Sequence, residues 1–233
     1  MYYNKPGFLQ LIGDFFMELY NFWRSLAAFR VRIALKLKKK NFEIVSKDLL
    51  VGDQFDSNFK NLNPQAMVPT LVLDNGEVLT QSIAVLEYLD EIYPDPPLMP
   101  KEALARARVR TISMITVADT HPLIVPRVRK YLAQEIGLDD KAIEAWIKNW
   151  TKLGLDAIET HITRNNPNDT YCVGNDVTLA DLCVIPQVGA AKMFKISLDL
   201  YPNTSRIFET CMRLPEFFDS RPQVQPDFPS EVC

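Results

Sequence analysis

Histidine, glycine and cysteine are scarce in this chain: 233 residues hold 2 His, 8 Gly and 4 Cys, against 16 Pro. Few glycines beside many prolines describe firm connections rather than flexible linkers. Cys172, Cys183, Cys211 and Cys233 form no Cys-x-x-Cys pair, and only His121 and His161 are there to join them, so no metal centre is expected. Without a charged-apolar-small leader pattern, the cysteines fit reduced thiols and a cytoplasmic location. No apolar run reaches the roughly 18 residues of a membrane span. Neither sign of charge dominates: 26 Lys and Arg against 29 Asp and Glu give a net charge of -3, which removes the electrostatic footprint of a nucleic-acid binder. The local run Lys36-Leu37-Lys38-Lys39-Lys40 reads as a solvated helix end, its cations near the negative pole of the helix dipole.

What is present is ordinary for a folded protein, with 47% hydrophobic and 24% charged residues. Residues 1–16 are apolar and aromatic and precede the first clear element, so they read as an N-terminal extension, with Met17 an alternative start. Residues 18–22 read as a strand, residues 27–38 as a helix with Phe29, Ile33 and Leu37 on one face, and residues 42–45 as a second strand. A polar loop over 47–63 has room for a short helix. Residues 70–73 and 77–79 are strands separated by Asp74-Asn75-Gly76, a strong hairpin signal, and Ser82 opens a helix running to 93. This β-α-β-loop-β-β-α order implies a small mixed sheet with helices packed on it. Strands then cease. A proline-rich break over 94–101 is followed by helical periodicity over 102–218, and Pro222, Pro226 and Pro229 mark an extended tail over 221–233.

Three local features carry chemical or structural meaning. Ser25 sits where an aromatic strand turns into a helix; unpaired N–H groups and the helix dipole stabilise an anion at such a place, and a hydroxyl can donate to it. On pattern alone Ser25 is equally a plain helix cap, and Ser82 more so. Val68-Pro69, directly before a strand, is a place for a cis proline. Thr178-Leu179-Ala180-Asp181 is a capping box with Asp in place of Glu.

Taken in order, Val68-Pro69-Thr70-Leu71, the run from Thr80-Gln81-Ser82 to Leu89, and the helical second half resemble a cytosolic glutathione transferase. The runs Arg30-Val31-Arg32-Ile33-Ala34-Leu35, Leu62-Asn63-Pro64, Tyr171-Cys172-Val173-Gly174 and Val184-Ile185-Pro186-Gln187-Val188 resemble its zeta class, which includes maleylacetoacetate isomerase. The resemblance implies an α/β thioredoxin-like domain over 17–94, an all-α domain over 101–220 carrying the acceptor-substrate site, glutathione as cofactor, and a homodimer. It implies that Val68, before a cis Pro69, pairs its backbone with the cysteinyl unit of glutathione. Gln81 and Ser82 would take the γ-glutamyl carboxylate, and Gln54 the glycyl end. Ser25 would stabilise the thiolate by a charge-assisted hydrogen bond of about 1.5–3 kcal/mol, with Arg30 beside it in the catalytic pair.

The chain departs from the zeta pattern on the acceptor side. Where members read Ser-Ser-Cys, this chain reads Ser25-Leu26-Ala27. The two amide side chains that often follow His-Pro-Leu are replaced in His121-Pro122-Leu123-Ile124-Val125-Pro126-Arg127, and a position that often carries Arg before Phe-Lys is Met193. An acceptor pocket formed by Leu26, Ala27, His121, Arg127 and Met193 is therefore expected to be more apolar than usual, taking an apolar electrophile rather than maleylacetoacetate. The expected chemistry is addition of the thiolate to a conjugated double bond, with cis-trans isomerisation or conjugation as outcome. A glutathione-dependent dehalogenase and a glutathione-binding protein with little catalysis are the alternatives.

Overall fold

The computed structural model describes residues 16–229. Strands β1 (Met17–Asn21), β2 (Phe42–Ser46), β3 (Thr70–Val72) and β4 (Val78–Thr80) form one sheet in the order β2-β1-β3-β4. β1 runs parallel to β2, pairing Met17 with Phe42 and Asn21 with Ser46; β3 is antiparallel to both β1 and β4. A parallel pair needs a long crossover, and here it is α1 (Leu26–Leu37), whose Phe29, Val31, Ile33 and Leu35 are buried. The Asn75-Gly76 turn closes the β3–β4 hairpin, with Gly76 in the left-handed region at φ 84°. Helices α2 (Ser57–Leu62) and α3 (Ser82–Ile92) complete a thioredoxin-like unit.

From there the chain is helical: α4 (Ala103–Met114), α5 (His121–Ile124), α6 (Pro126–Gln134), α7 (Asp140–Asn165), α8 (Leu179–Met193), α9 (Pro202–Cys211) and α10 (Pro215–Phe218). α8 is apolar nearly all round and packs on both α1 and α4, so one core runs through both halves, from Leu19, Ile33 and Leu71 to Leu182 and Ile185. Its start is fixed by the buried Asp181 carboxylate, which accepts from Thr178 N–H (2.8 Å), the Thr178 hydroxyl (3.0 Å) and Cys172 N–H (2.9 Å). Among the described residues, Cys172, Cys183 and Cys211 are free and buried. Burial pushes all three thiols up; Cys233 lies outside the described residues. No helix described is long and apolar enough to cross a membrane.

Two expectations need correction. Lys38 is not solvated: it is buried, and its ammonium donates to Asp90 at 2.8 Å, which also accepts from Leu98 N–H at 2.7 Å. This ion pair ties the end of α1 to the segment that leads into the helical half. The region expected as an extended tail is folded back: residues 222–224 form a 3-10 turn, and Asp227 and Phe228 dock on the loop after β1. The expected extension over 1–16 lies outside the described residues, apart from the exposed Phe16.

Candidate functional site

A cavity of about 910 Å³ opens between the sheet-bearing half and helices α5, α6 and α8. Ser25, Leu26, Ala27, Arg30, Gln54, Val68, Pro69, Gln81, Ser82, His121, Arg127 and Met193, the residues singled out in the sequence, all line it.

On the sheet side the wall is built from backbone and short side chains. Ser25 caps α1 by accepting from Ala28 N–H at 3.2 Å. That bond uses an oxygen lone pair, so the hydroxyl hydrogen stays available to a ligand anion. The cap and the donor readings of Ser25 are therefore compatible. The Val68–Pro69 peptide is cis, and the turn before β3 is braced by Asn63, whose amide donates to Met67 C=O (2.8 Å) and Thr70 Oγ1 (3.0 Å). Val68 N–H and C=O have no hydrogen-bond partner among the described residues. That leaves them open to an added extended backbone.

Gln81 precedes α3 at φ 68°. A non-glycine residue in that region carries local strain, a feature that clusters at ligand clamps. Its side chain donates to Gln65 Oε1 at 2.8 Å. Ser82 follows at the helix start, where first-turn N–H groups are unpaired, and its hydroxyl accepts from Arg30 Nη1 at 3.3 Å. Arg30 is 1% exposed; burial lowers its guanidinium, though not enough to discharge an arginine. Its Nε and Nη2 are buried without a partner, as is Gln54 Oε1 at the opposite end of this wall. Buried polar atoms left unpaired cost about 1–3 kcal/mol each. They point to a polar ligand that would satisfy them, and a peptide with a carboxylate near α3 fits.

The helical wall differs from expectation. Residues 115–120 wind as a π-helical turn closed by Thr120 Oγ1 donating to Ile115 C=O at 2.8 Å, and His121 follows it. Gly154 of α7 lies against this turn, where a Cβ would run into Thr120 Oγ1, so the glycine permits the close approach that sets His121. Burial, reinforced by the Arg30 and Arg127 charges, holds the His121 imidazole well below its usual value. Pro126 begins α6 at a position suited to proline and aims a run of cations along the cavity rim.

Alongside its apolar lining the pocket carries a set of cations. Arg24, Arg127, Arg129 and Lys130 all line it. The guanidinium carbons of Arg24 and Arg129 sit 6.0 and 5.7 Å from the centroid of the Phe194 ring. Among the described residues neither arginine meets a carboxylate within ion-pairing distance, and Arg129 Nε is buried without a partner. Burial lowers both guanidinium groups, and Arg24 lowers Arg129 further. Met193 stands partly exposed at the end of α8. Cations from α6 and from the loop before Ser25 thus line the same cavity as Met193. Sequence reasoning singled out neither Arg24 nor Arg129; Arg24 stands beside Ser25, but Arg129 reaches the Phe194 ring only through the tertiary fold.

Known proteins agree with this architecture. The glutathione S-transferase N-terminal domain family matches residues 16–91 and its C-terminal domain family residues 151–215. A maleylpyruvate isomerase of Ralstonia sp is 40% identical over 212 residues, 91% of this chain and 99% of that protein. A holo structure of a maleylpyruvate isomerase, described as a bacterial zeta-class glutathione S-transferase, superimposes with a TM-score of 0.88 at 38% identity, covering 91% of this chain and 100% of that one. A maleylacetoacetate isomerase of Methylobacterium extorquens AM1, crystallised with malonate and glutathione, gives 0.89 at 40% identity over 91% of this chain and all of its own. With its thioredoxin-like sheet, its helical half and the cavity between them, this chain belongs to the zeta-class glutathione S-transferase and maleylacetoacetate isomerase family.

Proposed function

We propose that this protein is a glutathione-dependent cis-trans isomerase of an unsaturated keto acid that carries a carboxylate. The observation that carries the reading is the pair Arg24 and Arg129, two cations without an acidic partner among the described residues, in the same cavity as the Ser25 hydroxyl. Two such charges favour an anionic substrate over an apolar electrophile, and two relatives bear the names maleylpyruvate isomerase and maleylacetoacetate isomerase.

Bound in the cavity, glutathione supplies a thiolate that adds to the conjugated double bond, frees rotation about the resulting single bond and leaves again. Val68 would align its cysteinyl backbone, and Ser82 with the first turn of α3 would take its γ-glutamyl carboxylate, the Arg30 charge behind them. Gln54 Oε1 would accept from the glycyl end. The Ser25 hydroxyl would donate to the sulfur. A free thiol of pKa about 8.5 is only a few per cent ionised at pH 7, so lowering it by one unit raises the thiolate several-fold. His121, held neutral, adds no competing charge.

Incubation with glutathione and either maleylpyruvate or maleylacetoacetate, followed by NMR and a free-thiol assay, tests the reading. Conversion of the cis to the trans acid with total glutathione unchanged is expected. Stoichiometric loss of thiol would mean conjugation instead, and no turnover of either acid would reject the carboxylate-bearing substrate.

A further inference from the structure

The segment that follows α10 ends on the loop that delivers Ser25. Asp227 Oδ2 accepts from Trp23 N–H at 2.8 Å, and Oδ1 accepts from Asn21 Nδ2 at 3.4 Å. Phe228 packs edge-on against the Trp23 ring, centroids 5.0 Å apart. From the other side the fully buried Arg32 donates to Asn21 Oδ1 (2.6 Å), to Trp23 C=O (3.4 Å) and to Ser220 C=O (2.9 Å). Burial pulls this guanidinium down to about 9, the Asp227 charge opposing that fall. The Trp23 peptide is therefore held at both its N–H and its C=O, and Ser25 N–H is tied to Phe22 C=O at 2.9 Å. Buried polar groups of this kind are tolerated only when they are satisfied, and here they satisfy one another around the Trp23 backbone.

We propose that this C-terminal segment is a strap that sets the position of Ser25, with Asp227 as the positioning residue. Asp227 does not line the cavity and acts through the Trp23 N–H and, at longer range, the Asn21 amide. A loop of four residues between β1 and α1 would otherwise carry the Ser25 hydroxyl on a backbone whose Trp23 N–H is unpaired. A shift of well under 1 Å in the hydroxyl suffices to weaken a donor aimed at a charged sulfur. Glutathione affinity is set elsewhere in the cavity, by the Val68 turn and the start of α3, so loosening the strap separates chemistry from binding.

The inference rests on the reading that Ser25 stabilises a bound thiolate, so the experiment has two arms. The thiol of bound glutathione is titrated by its ultraviolet thiolate absorbance in the full-length wild type, Ser25→Ala, Asp227→Ala, Asp227→Asn and Phe228→Ala, with the glutathione Kd and kcat of each. An unshifted thiol in Ser25→Ala rejects that reading itself. If Ser25→Ala shifts it, Asp227→Ala is expected to move the thiol pKa most of the way toward the Ser25→Ala value and to lower kcat about tenfold, with the Kd changed less than threefold. Asp227→Asn, which keeps an oxygen for Trp23 N–H, is expected to restore at least half of the shift. A wild-type thiol pKa in Asp227→Ala, or an equal loss of kcat and affinity that Asp227→Asn does not relieve, overturns the strap. Should Asp227→Ala not fold, Phe228→Ala decides: an unshifted thiol there overturns the proposal equally.

Discussion

The two walls of the cavity are built on different principles. The sheet-side wall is short and stiff: Ser25 on its cap, Val68 on a turn braced by Asn63, and Ser82 on the first turn of α3 under the Arg30 guanidinium. The helical wall is long-limbed: Arg24 and Arg129 reach Phe194 from different elements, and Lys130 and Arg127 extend from α6. The first wall suits a ligand that is always the same, because backbone groups at fixed positions discriminate by geometry. The second suits a variable partner, because a cationic side chain can be moved from one helix to another without disturbing the fold. Here Met193 is neutral, and Arg129 carries a charge into the same cavity.

Three substitutions and one titration sharpen this contrast, in falling order of effect. Ser25→Ala removes a charge-assisted hydrogen bond of about 1.5–3 kcal/mol and is expected to lower kcat about 10²-fold with the glutathione Kd changed less than threefold, read from steady-state kinetics and calorimetry. An unchanged kcat would take Ser25 out of the chemistry. Arg129→Met deletes a guanidinium from the other wall; the KM for a carboxylate-bearing substrate should rise about tenfold or more, while glutathione binding stays as it was. A loss on both sides would show that the walls are not separable. Arg30→Met is expected to weaken glutathione about tenfold without lowering the unfolding midpoint, since a buried guanidinium with two unpaired nitrogens is replaced by an apolar chain of similar length. A clear fall in Tm would show instead that Arg30 is structural.

The smallest effect concerns pH. Because burial and neighbouring arginines hold His121 well below its usual value, the unfolded chain takes up a proton near pH 6.5 that the folded chain refuses. Its contribution to stability is therefore complete above about pH 6.5 and falls as the pH drops below. The imidazole should show no NMR titration between pH 6.5 and 8, and a titration there would contradict the assignment.

Legibility in the sequence follows the same division. The β-α-β and hairpin order and the capping box of α8 were readable, because each depends on spacing within a few residues, and the twelve residues singled out line one cavity. Lys38 was misread because its partner, Asp90, lies 52 residues away. The tail was misread for a similar reason: its prolines describe local backbone, whereas Asp227 is captured by Trp23 across 204 residues. Arg24 and Arg129, cations that share the acceptor pocket with its apolar lining, were not singled out, because substitutions were weighed one position at a time. The neutral Met193 is visible in the chain, but the approach of Arg129 to Phe194 is a long-range contact of the fold.

The most direct measurement compares the affinity of the wild-type protein for glutathione and for S-(1,2-dicarboxyethyl)glutathione, which adds two carboxylates next to the sulfur, by calorimetry at one ionic strength. The account predicts that the dicarboxylate binds at least tenfold more tightly, since the arginines of the helical wall gain the partners they lack. Equal or weaker binding of the dicarboxylate would contradict it and return the acceptor pocket to an apolar electrophile.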